Sequence, residues 1–384
     1  MRILHVHDRW SQRGGADLHL LGVVAHQARR GVVDVAVGRI EADAPHPPGV
    51  RLHRVRGLGG REREGRRAAA ALVALGERLA PDLVHLHNAL QPEVMAAVRA
   101  IAPAVATVQD HRSFCPGRGR MLPDGRTCDA RPGPGVCARC FADRTYAAAI
   151  LDLTRRRAEA LRGFAWVTVL SAYMAGELKA AGLDPARIAV IPPFPWWPTP
   201  PAPSLAVAPY LLAAGRLVDA KGFDVLLAAL SRTPQAPPLL LAGEGPVQPV
   251  LAASLPARGR LLPWQGRAEL RALTAGAQAL VMPSRWAEPF GIAGLEALSL
   301  GVPVVGSRVG GIPEWLDESC GWLVPPGDAP ALARALAEAS DPVEAAARGA
   351  RGRARATARF REEDLMAQLE AVYRAATEEP DTVP

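Results

Sequence analysis

The sequence contains almost no lysine: Lys179 and Lys221 are the only two among 45 basic residues. Aromatic residues are also scarce, at 5% of the chain, although the net charge is +7. The one concentration of arginine runs from Arg51 to Arg67, and it has few aromatic rings on which bases could stack, which argues against nucleic acid as a partner. We interpret this stretch as a solvated loop, with a patch that contacts a membrane surface as the alternative.

Long hydrophobic runs are missing as well. No apolar stretch approaches the ~20 residues needed to span a bilayer. The first residues, Met1–Asp8, are typical of a strand and not of a signal peptide, because the apolar run is short and ends in charge. We therefore expect a soluble cytoplasmic protein, with peripheral contact at the inner face of the membrane as a further option. At 384 residues the chain is too long for one ordinary core and suits two domains.

Cysteine is rare too, but four of the five cysteines fall within one window, with the spacing C-x12-C-x8-C-x2-C. The surrounding residues 112–145 are rich in Gly, Pro and Arg, and a polar loop of that length usually needs a cross-link. Four thiolates suit tetrahedral Zn²⁺, whereas an iron–sulfur cluster, disulfides and unconnected thiols are the alternatives. We predict a structural zinc loop with the ligands Cys115, Cys128, Cys137 and Cys140.

Strand and helix patterns alternate along the chain, which predicts βαβ units and parallel sheets. A proline-rich stretch, Ile191–Pro209, interrupts the alternation and is predicted to be a linker between domains. The predicted domains are residues 1–195 and 196–360, followed by a C-terminal helix and tail, 361–384. The predicted strands are Ile3–His7, Val32–Val37, Leu83–Leu86, Val105–Val108, Trp166–Leu170, Tyr210–Ala214, Leu239–Ala242, Ala279–Met282 and Val302–Gly306.

Two carboxylates, Glu288 and Glu296, bracket a Pro-Phe-Gly turn that is predicted to open a short helix. The N-terminus of a helix offers free N–H groups and a positive dipole end to a diphosphate. Carboxylates accept hydrogen bonds from vicinal hydroxyls, since each has two acceptor oxygens. The segment therefore predicts a pocket for a nucleotide sugar.

This segment resembles the E-x7-E signature of retaining glycosyltransferases of the GT-B fold, in particular glycosyltransferase family 4. Further motifs of the family follow in the expected order over about residues 1–330. They are Gly14-Gly15, Gly215-Arg216 with Lys221-Gly222, Gly243-Glu244-Gly245-Pro246, Pro283-Ser284 and Gly310-Gly311. The resemblance implies two Rossmann-like domains with a cleft between them and a C-terminal helix that crosses back to the first domain.

The resemblance also implies an activity, the transfer of a sugar with retention from a nucleoside-diphosphate sugar to a hydroxyl acceptor. The acceptor would be a glycan, a lipid-linked molecule or a small molecule, and no cofactor is required for the transfer. Arg216 and Lys221 would stabilise the leaving diphosphate, and Glu288 would orient the transferred sugar. The predicted donor site comprises Gly15, Arg216, Lys221, Glu244, Glu288, Phe290, Gly291, Ile292 and Glu296.

The acceptor side is predicted at Gln109, Asp110 and His111, where the family often has T-x-H-D. Gln109 takes the place of the histidine, and it cannot shuttle a proton near pH 7. Two other classes of function were weighed. A non-catalytic GT-B binding protein fits poorly with an intact set of motif residues, and a GT-B epimerase gives no reason for the two phosphate and sugar motifs together.

Overall fold

The computed structural model describes residues 1–197 and 209–378, which form two compact units. The first unit comprises Met1–Gly119, Ala130–Phe194 and the chain from Glu362 on. The second comprises Arg120–Asp129 and Pro195–Arg361. The borders lie one residue from the predicted ones, at 194/195 and 361/362. The segment 120–129, part of the predicted cysteine loop, groups with the second unit. Most of the predicted linker and the tail 379–384 lie outside the described residues.

The first unit contains a seven-stranded sheet in which all strand pairs are parallel, in the order β3-β2-β1-β4-β5-β6-β7. Its strands are β1 (Ile3–Trp10), β2 (Val33–Ile40), β3 (Val50–Arg54), β4 (Leu83–Leu86), β5 (Ala104–Val108), β6 (Trp166–Val169) and β7 (Ile188–Val190). Its helices up to this point are α1 (Gly15–Ala28), α2 (Glu62–Leu79), α3 (Pro92–Ile101), α4 (Pro134–Cys137), α5 (Arg144–Arg162) and α6 (Ala172–Ala180).

The second unit has a six-stranded parallel sheet in the order β10-β9-β8-β11-β12-β13. Its strands are β8 (Leu211–Ala214), β9 (Leu239–Ala242), β10 (Arg260–Leu262), β11 (Ala279–Met282), β12 (Val304–Ser307) and β13 (Gly321–Val324). Its helices are α7 (Phe223–Leu230), α8 (Gln248–Ala253), α9 (Arg267–Gly276), α10 (Ile292–Ser299), α11 (Ala329–Ala339) and α12 (Pro342–Arg359).

Both sheets reverse their strand order at one point, between β1 and β4 in the first unit and between β8 and β11 in the second. In open parallel sheets, ligands bind beyond the carboxyl ends of the strands at such a reversal. In the second unit, β9 and β11 are apolar throughout, as expected for parallel strands covered on both faces, and every residue of Leu239–Ala242 and Ala279–Met282 is buried. This architecture is the GT-B fold, as the sequence predicted.

The last helix, α13 (Glu362–Glu378), belongs to the first unit, as predicted for a crossover helix. Its apolar face is buried at Leu365 and Leu369, among others. Tyr373 is 1% exposed, and its hydroxyl lies 2.7 Å from Nδ1 of His85 and accepts a 3.5 Å hydrogen bond from the Gln27 side chain. The helix therefore docks through polar contacts as well as apolar ones.

The prediction of a solvated loop over Arg51–Arg67 is wrong. Residues Val50–Arg54 form β3, which pairs in parallel with β2, and α2 begins at Glu62. The strand tolerates its arginines because it lies at the edge of the sheet. Arg51 forks onto buried Asp34 with hydrogen bonds of 2.9 and 2.7 Å.

Several other elements were missed, and they share a lack of clear apolar periodicity. The edge strands β7 and β10 have three residues each, too few for a pattern. The helix α12 is rich in Ala, Arg and Gly and has no long apolar stripe. None of the helices within residues 1–197 and 209–378 has the length and apolar character needed to cross a bilayer.

Candidate active site

In the second unit, the loops that follow β8 and β11 meet at the point where strand order reverses. A 3₁₀ turn, Asp219–Lys221, lies against the chain after β11, and the backbone N–H of Arg285 donates to the carbonyl of Ala220 at 2.9 Å. Gly222 has a φ of +66°, and a Cβ there would lie 2.0 Å from the carbonyl oxygen of Pro283. This close approach fixes the position of Lys221.

Lys221 forms an ion pair with Glu288, with 2.6 Å between Nζ and Oε1. The hydroxyl of Ser284 donates to the same oxygen at 2.7 Å, and Glu288 is only 4% exposed. Burial alone would raise the pKa of Glu288, but the charge of Lys221 and the hydrogen bonds outweigh it and lower that pKa. Two residues that the sequence assigned to separate roles are thus joined in one anionic–cationic pair.

The backbone of Glu288 is held by the glycine loop after β12. The N–H of Gly311 donates to the carbonyl of Glu288 at 2.8 Å. Gly310 has a φ of +55°, and a Cβ there would lie 2.1 Å from the carbonyl oxygen of Glu288 and 2.6 Å from its nitrogen. Only glycine fits between the two segments at this position, which explains Gly310 of the motif.

Glu296 lies within α10 and is 3% exposed. Both of its carboxylate oxygens accept hydrogen bonds from Arg267, at 3.1 and 2.5 Å. Burial raises the pKa of Glu296, and the guanidinium of Arg267 opposes that rise. Sequence reasoning did not single out Arg267, and only its position next to Gly266, at the first residue of α9, could have drawn attention to it.

The turn between the two carboxylates opens α10, which begins at Ile292 after Gly291, as predicted. The side chain of Phe290 is 2% exposed and packs against the rings of Trp315 and Phe360. Its carbonyl accepts a 2.6 Å hydrogen bond from Nε1 of Trp315. The Phe290 ring therefore anchors the turn in the core, and a ligand can meet only the backbone.

Arg216 follows β8, is exposed, and makes no ion pair with any residue that the structure describes. The loop that carries it is tied to the turn after β9, because the N–H of Leu217 donates to the carbonyl of Glu244 at 2.8 Å. The carboxylate of Glu244 accepts from the backbone N–H of Trp264 at 3.4 Å. Arg216 thus offers an uncompensated guanidinium at the edge where Lys221 lies.

Gly15, which was predicted to join the donor site, lies in the first unit, where it is exposed at the first position of α1. The carbonyl of Gly14 accepts from the N–H of Leu18 at 2.9 Å. Next to this turn, Nε of Arg9 donates to both oxygens of buried Asp17 at 3.0 Å. The glycine turn is thereby braced against β1.

A row of histidines crosses the same sheet. The chain has two H-x-H sequences, and His5 on β1 pairs in register with His85 on β4. His7 lies two residues further along β1, and His87 lies just beyond the end of β4. All four are fully buried. His5 and His87 nitrogens lie 3.0 Å apart, and His85 bonds Thr107 at 2.6 Å. Sequence analysis missed this row, although the repeated H-x-H on two predicted strands was the available signal.

Two of these imidazoles carry polar atoms without a hydrogen-bond partner among the described residues, namely Nε2 of His7 and Nδ1 of His87. The side-chain oxygen of Gln109 is a third such atom, and the amide nitrogen of Gln109 lies 2.8 Å from Nδ1 of His19. All three lie on or just after β1, β4 and β5, which are neighbours in the sheet. This edge therefore has buried polar atoms whose hydrogen-bonding capacity the described residues do not use.

The other predicted acceptor residues have protein partners. Asp110 accepts from Nε of Arg112 at 2.7 Å and from its backbone N–H at 2.9 Å. Nε2 of His111 lies 3.0 Å from the hydroxyl of Tyr173, and its ring packs against Phe114. Gln109 keeps its side-chain oxygen without a hydrogen-bond partner among the described residues.

Ligand atoms of His5, His85 and His87 lie within 4.8 Å of one another. Nitrogens of His5 and His85 already bond Gln27, Tyr373 and Thr107, so we assign this group to the fold. The four cysteines of the predicted zinc loop do not form a group of this kind among the described residues, and they form no disulfide there.

Two family models match the chain. One described as Glycosyltransferase Family 4 matches residues 13–194, and one described as Glycosyl transferases group 1 matches residues 208–341. Together they span most of both units. The chain belongs to the GT-B glycosyltransferases of the family 4 type.

Curated relatives of this family 4 chain include the glycogen synthase of Mycobacterium tuberculosis, 36% identical over 181 residues, which are 43% of this chain and 42% of the relative. Another is the GDP-mannose-dependent monoacylated alpha-(1-6)-phosphatidylinositol monomannoside mannosyltransferase of Corynebacterium glutamicum, 33% identical over 165 residues, 40% of this chain and 43% of the relative. These alignments span less than half of either relative.

Solved structures share the fold over nearly the whole family 4 chain. Anabaena HepE, solved in complex with UDP and glucose, has a TM-score of 0.70 at 19% identity and covers 98% of this chain and 100% of its own. Sucrose-phosphate synthase from Thermosynechococcus elongatus has a TM-score of 0.74 at 22% identity and covers 97% and 98%. At these identities the comparison supports the fold.

We expect Gly310→Ala to lower the free energy of unfolding by about 3 kcal/mol or more, because an alanine there is both strained and in collision with the Glu288 backbone. The matched control is Gly327→Ala, with a φ of +76° and no atom within 4 Å of the added Cβ. It should lose only about 1–2 kcal/mol, the cost of the left-handed conformation. Urea unfolding measures both, and equal losses would contradict the close contact.

The buried histidine row predicts acid sensitivity. Burial lowers the pKa of His5 to about 4 and the pKa values of His85 and His87 well below the ordinary value. The folded state then binds fewer protons than the unfolded state below pH 6.5, so stability falls as the pH drops from 6.5 toward 4. The slope is about 1.4 kcal/mol per pH unit for each histidine.

Urea unfolding at a series of pH values measures this slope. Exposed His46 serves as the control, because His46→Asn should leave the profile unchanged. A stability that is flat between pH 6.5 and 5 in the wild-type protein would show that the imidazoles titrate normally and that the row is open to water.

Proposed function

We propose that the protein is a retaining glycosyltransferase that transfers a sugar from a nucleoside-diphosphate sugar to a hydroxyl acceptor without a metal in the reaction. The observation that carries this proposal is the buried Lys221–Glu288 pair at the strand reversal of the second unit, with exposed Arg216 on the adjoining loop. A nucleoside diphosphate as the leaving group is in keeping with the UDP bound to Anabaena HepE and with the GDP-mannose in the name of the mannosyltransferase relative.

The reaction breaks the bond between the anomeric carbon and the diphosphate oxygen and forms a bond from that carbon to the acceptor oxygen. Arg216 and Lys221 stabilise the negative charge that develops on the diphosphate. The departing phosphate oxygen takes the proton of the acceptor hydroxyl, so no side chain has to act as a nucleophile. Glu288 orients the sugar hydroxyls and holds Lys221 in place.

The second unit binds the donor in this proposal, and the first unit supplies the acceptor contacts. Gln109 is suited to a hydroxyl group, because its side-chain oxygen has no hydrogen-bond partner among the described residues. A neutral amide at this position fits a catalysis that takes no proton from the acceptor through a side chain.

The test measures the release of nucleoside diphosphate from UDP-, GDP- and ADP-sugars with a panel of acceptors that includes glycans, lipid-linked sugars and small polyols. We expect release that depends on the acceptor, and a product whose anomeric configuration by NMR equals that of the donor. Binding of nucleotide sugars without release would favour a binding protein, and conversion of the donor without acceptor would favour an epimerase. Inversion at the anomeric carbon would contradict retention.

Glu288→Gln should lower the transfer rate by about a hundredfold, because it removes the charge that holds Lys221 while keeping the size of the side chain. The matched control is Glu344→Gln, which breaks an ion pair with Arg348 of the same 2.6 Å length on α12. The control should keep its full rate. Equal rates for Glu288→Gln and the wild-type protein, with both folded by circular dichroism, would overturn the assignment of Glu288.

We further propose that the cysteine loop holds a structural metal ion, Zn²⁺ in the first instance and an iron–sulfur cluster as the alternative. The sulfurs of Cys115 and Cys140 lie 3.9 and 3.5 Å from the position of a Cβ on Gly117, so both flank that glycine. The sulfur of Cys137 accepts a 3.4 Å hydrogen bond from the N–H of Gly133. Cys128 lies on the segment that groups with the second unit.

Elemental analysis of protein purified anaerobically tests the loop. We expect about one Zn²⁺ per chain, lost in Cys137→Ser. Cys320→Ala is the control, since Cys320 is fully buried away from the loop and should keep the metal. Wild-type protein without bound zinc or iron would refute the site.

A further inference from the structure

Arg267 contacts one of the two carboxylates of the E-x7-E motif, the backbone of Trp196 and the ring of Trp197. It is 6% exposed, and its two terminal nitrogens fork onto the two oxygens of Glu296 at 3.1 and 2.5 Å. A fork of this kind holds the carboxylate in one plane, which a single hydrogen bond cannot do. The orientation of Glu296 is therefore set by Arg267.

The same guanidinium also contacts the segment Trp196–Trp197. It donates to the carbonyl of Trp196 at 2.7 Å, and its carbon lies 4.2 Å from the centre of the Trp197 ring. Nε1 of Trp197 donates to the hydroxyl of Ser299 at 3.4 Å, and that hydroxyl donates to the backbone carbonyl of Glu296 at 2.7 Å. Arg267 and Trp197 thus link the segment 196–197 to the side chain of Glu296 and to Ser299, which lies one turn further along α10.

The pairing leaves Glu296 able to accept more hydrogen bonds. Each carboxylate oxygen has two lone pairs, and Arg267 uses one on each, so two remain for vicinal hydroxyls. With these lone pairs the carboxylate can accept from two hydroxyls, which matches the two O–H donors of a diol.

We propose that Arg267 is a positioning residue for the donor: it fixes the carboxylate of Glu296 toward the ribose diol and ties the Trp196–Trp197 segment to the same site. This inference rests on the proposed function, since it requires a ribose-containing donor. It adds a residue outside all of the motifs named above.

The experiment compares binding of UDP, GDP and ADP with binding of their 2′,3′-dideoxy counterparts by calorimetry. We expect the wild-type protein to bind the ribonucleotide it prefers at least about tenfold more tightly than the dideoxy form. Arg267→Ala should bind both forms equally, because the free carboxylate no longer faces the diol. Arg267→Lys should recover part of the preference, since one ammonium can hold one oxygen.

Arg271→Ala is the matched control. Arg271 lies one turn further along α9, and its guanidinium carbon is 6.0 Å from the centre of the same Trp197 ring. A general loss of packing around that ring would affect both variants, whereas loss of the ribose preference should occur only at Arg267. The intrinsic fluorescence of the tryptophans reports whether the 196–197 segment changes its surroundings in each variant.

The outcomes separate the two proposals. Failure of the wild-type protein to bind any of the nucleotides would refute the proposed function. Binding with a ribose preference that survives in Arg267→Ala would overturn only the role of Arg267, and so would wild-type binding with no preference for ribose. If Arg267→Ala does not fold, Arg267→Lys decides, because an unchanged preference in that variant contradicts the need for a fork.

Discussion

The site in the second unit depends on two places where backbone comes closer to backbone than any side chain would permit. Gly222 lies on the carbonyl of Pro283, and Gly310 lies on the backbone of Glu288. Between them they bring a lysine and a glutamate into contact in a largely buried position. Removing either charge from water costs several kcal/mol, so each requires the other. The pair requires its loops to lie closer together than a side chain at Gly222 or Gly310 would permit, and the other residues of the site are arranged around it.

The two carboxylates of the motif differ in the cation that each one faces. Glu288 faces Lys221, whose compact charge lies at the end of a flexible side chain and can also contact an incoming phosphate. Glu296 faces Arg267, whose planar fork holds both oxygens at once. One glutamate of the motif is thus paired with a cation that can move, and the other is paired with a cation that is held in one orientation. In the proposed reaction this difference fits a donor whose diphosphate, near Lys221, takes part in the chemistry and whose ribose, near Glu296, does not.

The fold was predictable from the sequence because apolar runs and proline-rich breaks are local signals. Leu83–Leu86, Leu239–Ala242 and Ala279–Met282 were placed correctly to the residue, since each is a continuous buried run between breaks. The arginine-rich edge strand β3 was not, because Asp34, the residue that neutralises Arg51, is distant in sequence. A charged strand looks like a loop until its partner is known.

The site was predictable as far as the motifs reach. The glycines, Lys221 and the two glutamates carry spacing that a single sequence can show. Arg267 carries none, and the two H-x-H repeats of the histidine row do not show that they meet, because these contacts join residues far apart in the chain: 29 positions for Arg267 and Glu296, and 82 for His5 and His87. Such contacts depend on strand order and register, which only the folded chain reveals.

The polar contacts of α13 can form only late in synthesis of the chain. His85 and Gln27 in the first unit meet Tyr373 on a helix that follows the whole second unit in sequence. During synthesis the ribosome releases the second unit before this helix exists. His85 therefore lacks its Tyr373 partner until the second unit has been made, and a fragment that ends at Phe194 would never acquire that partner.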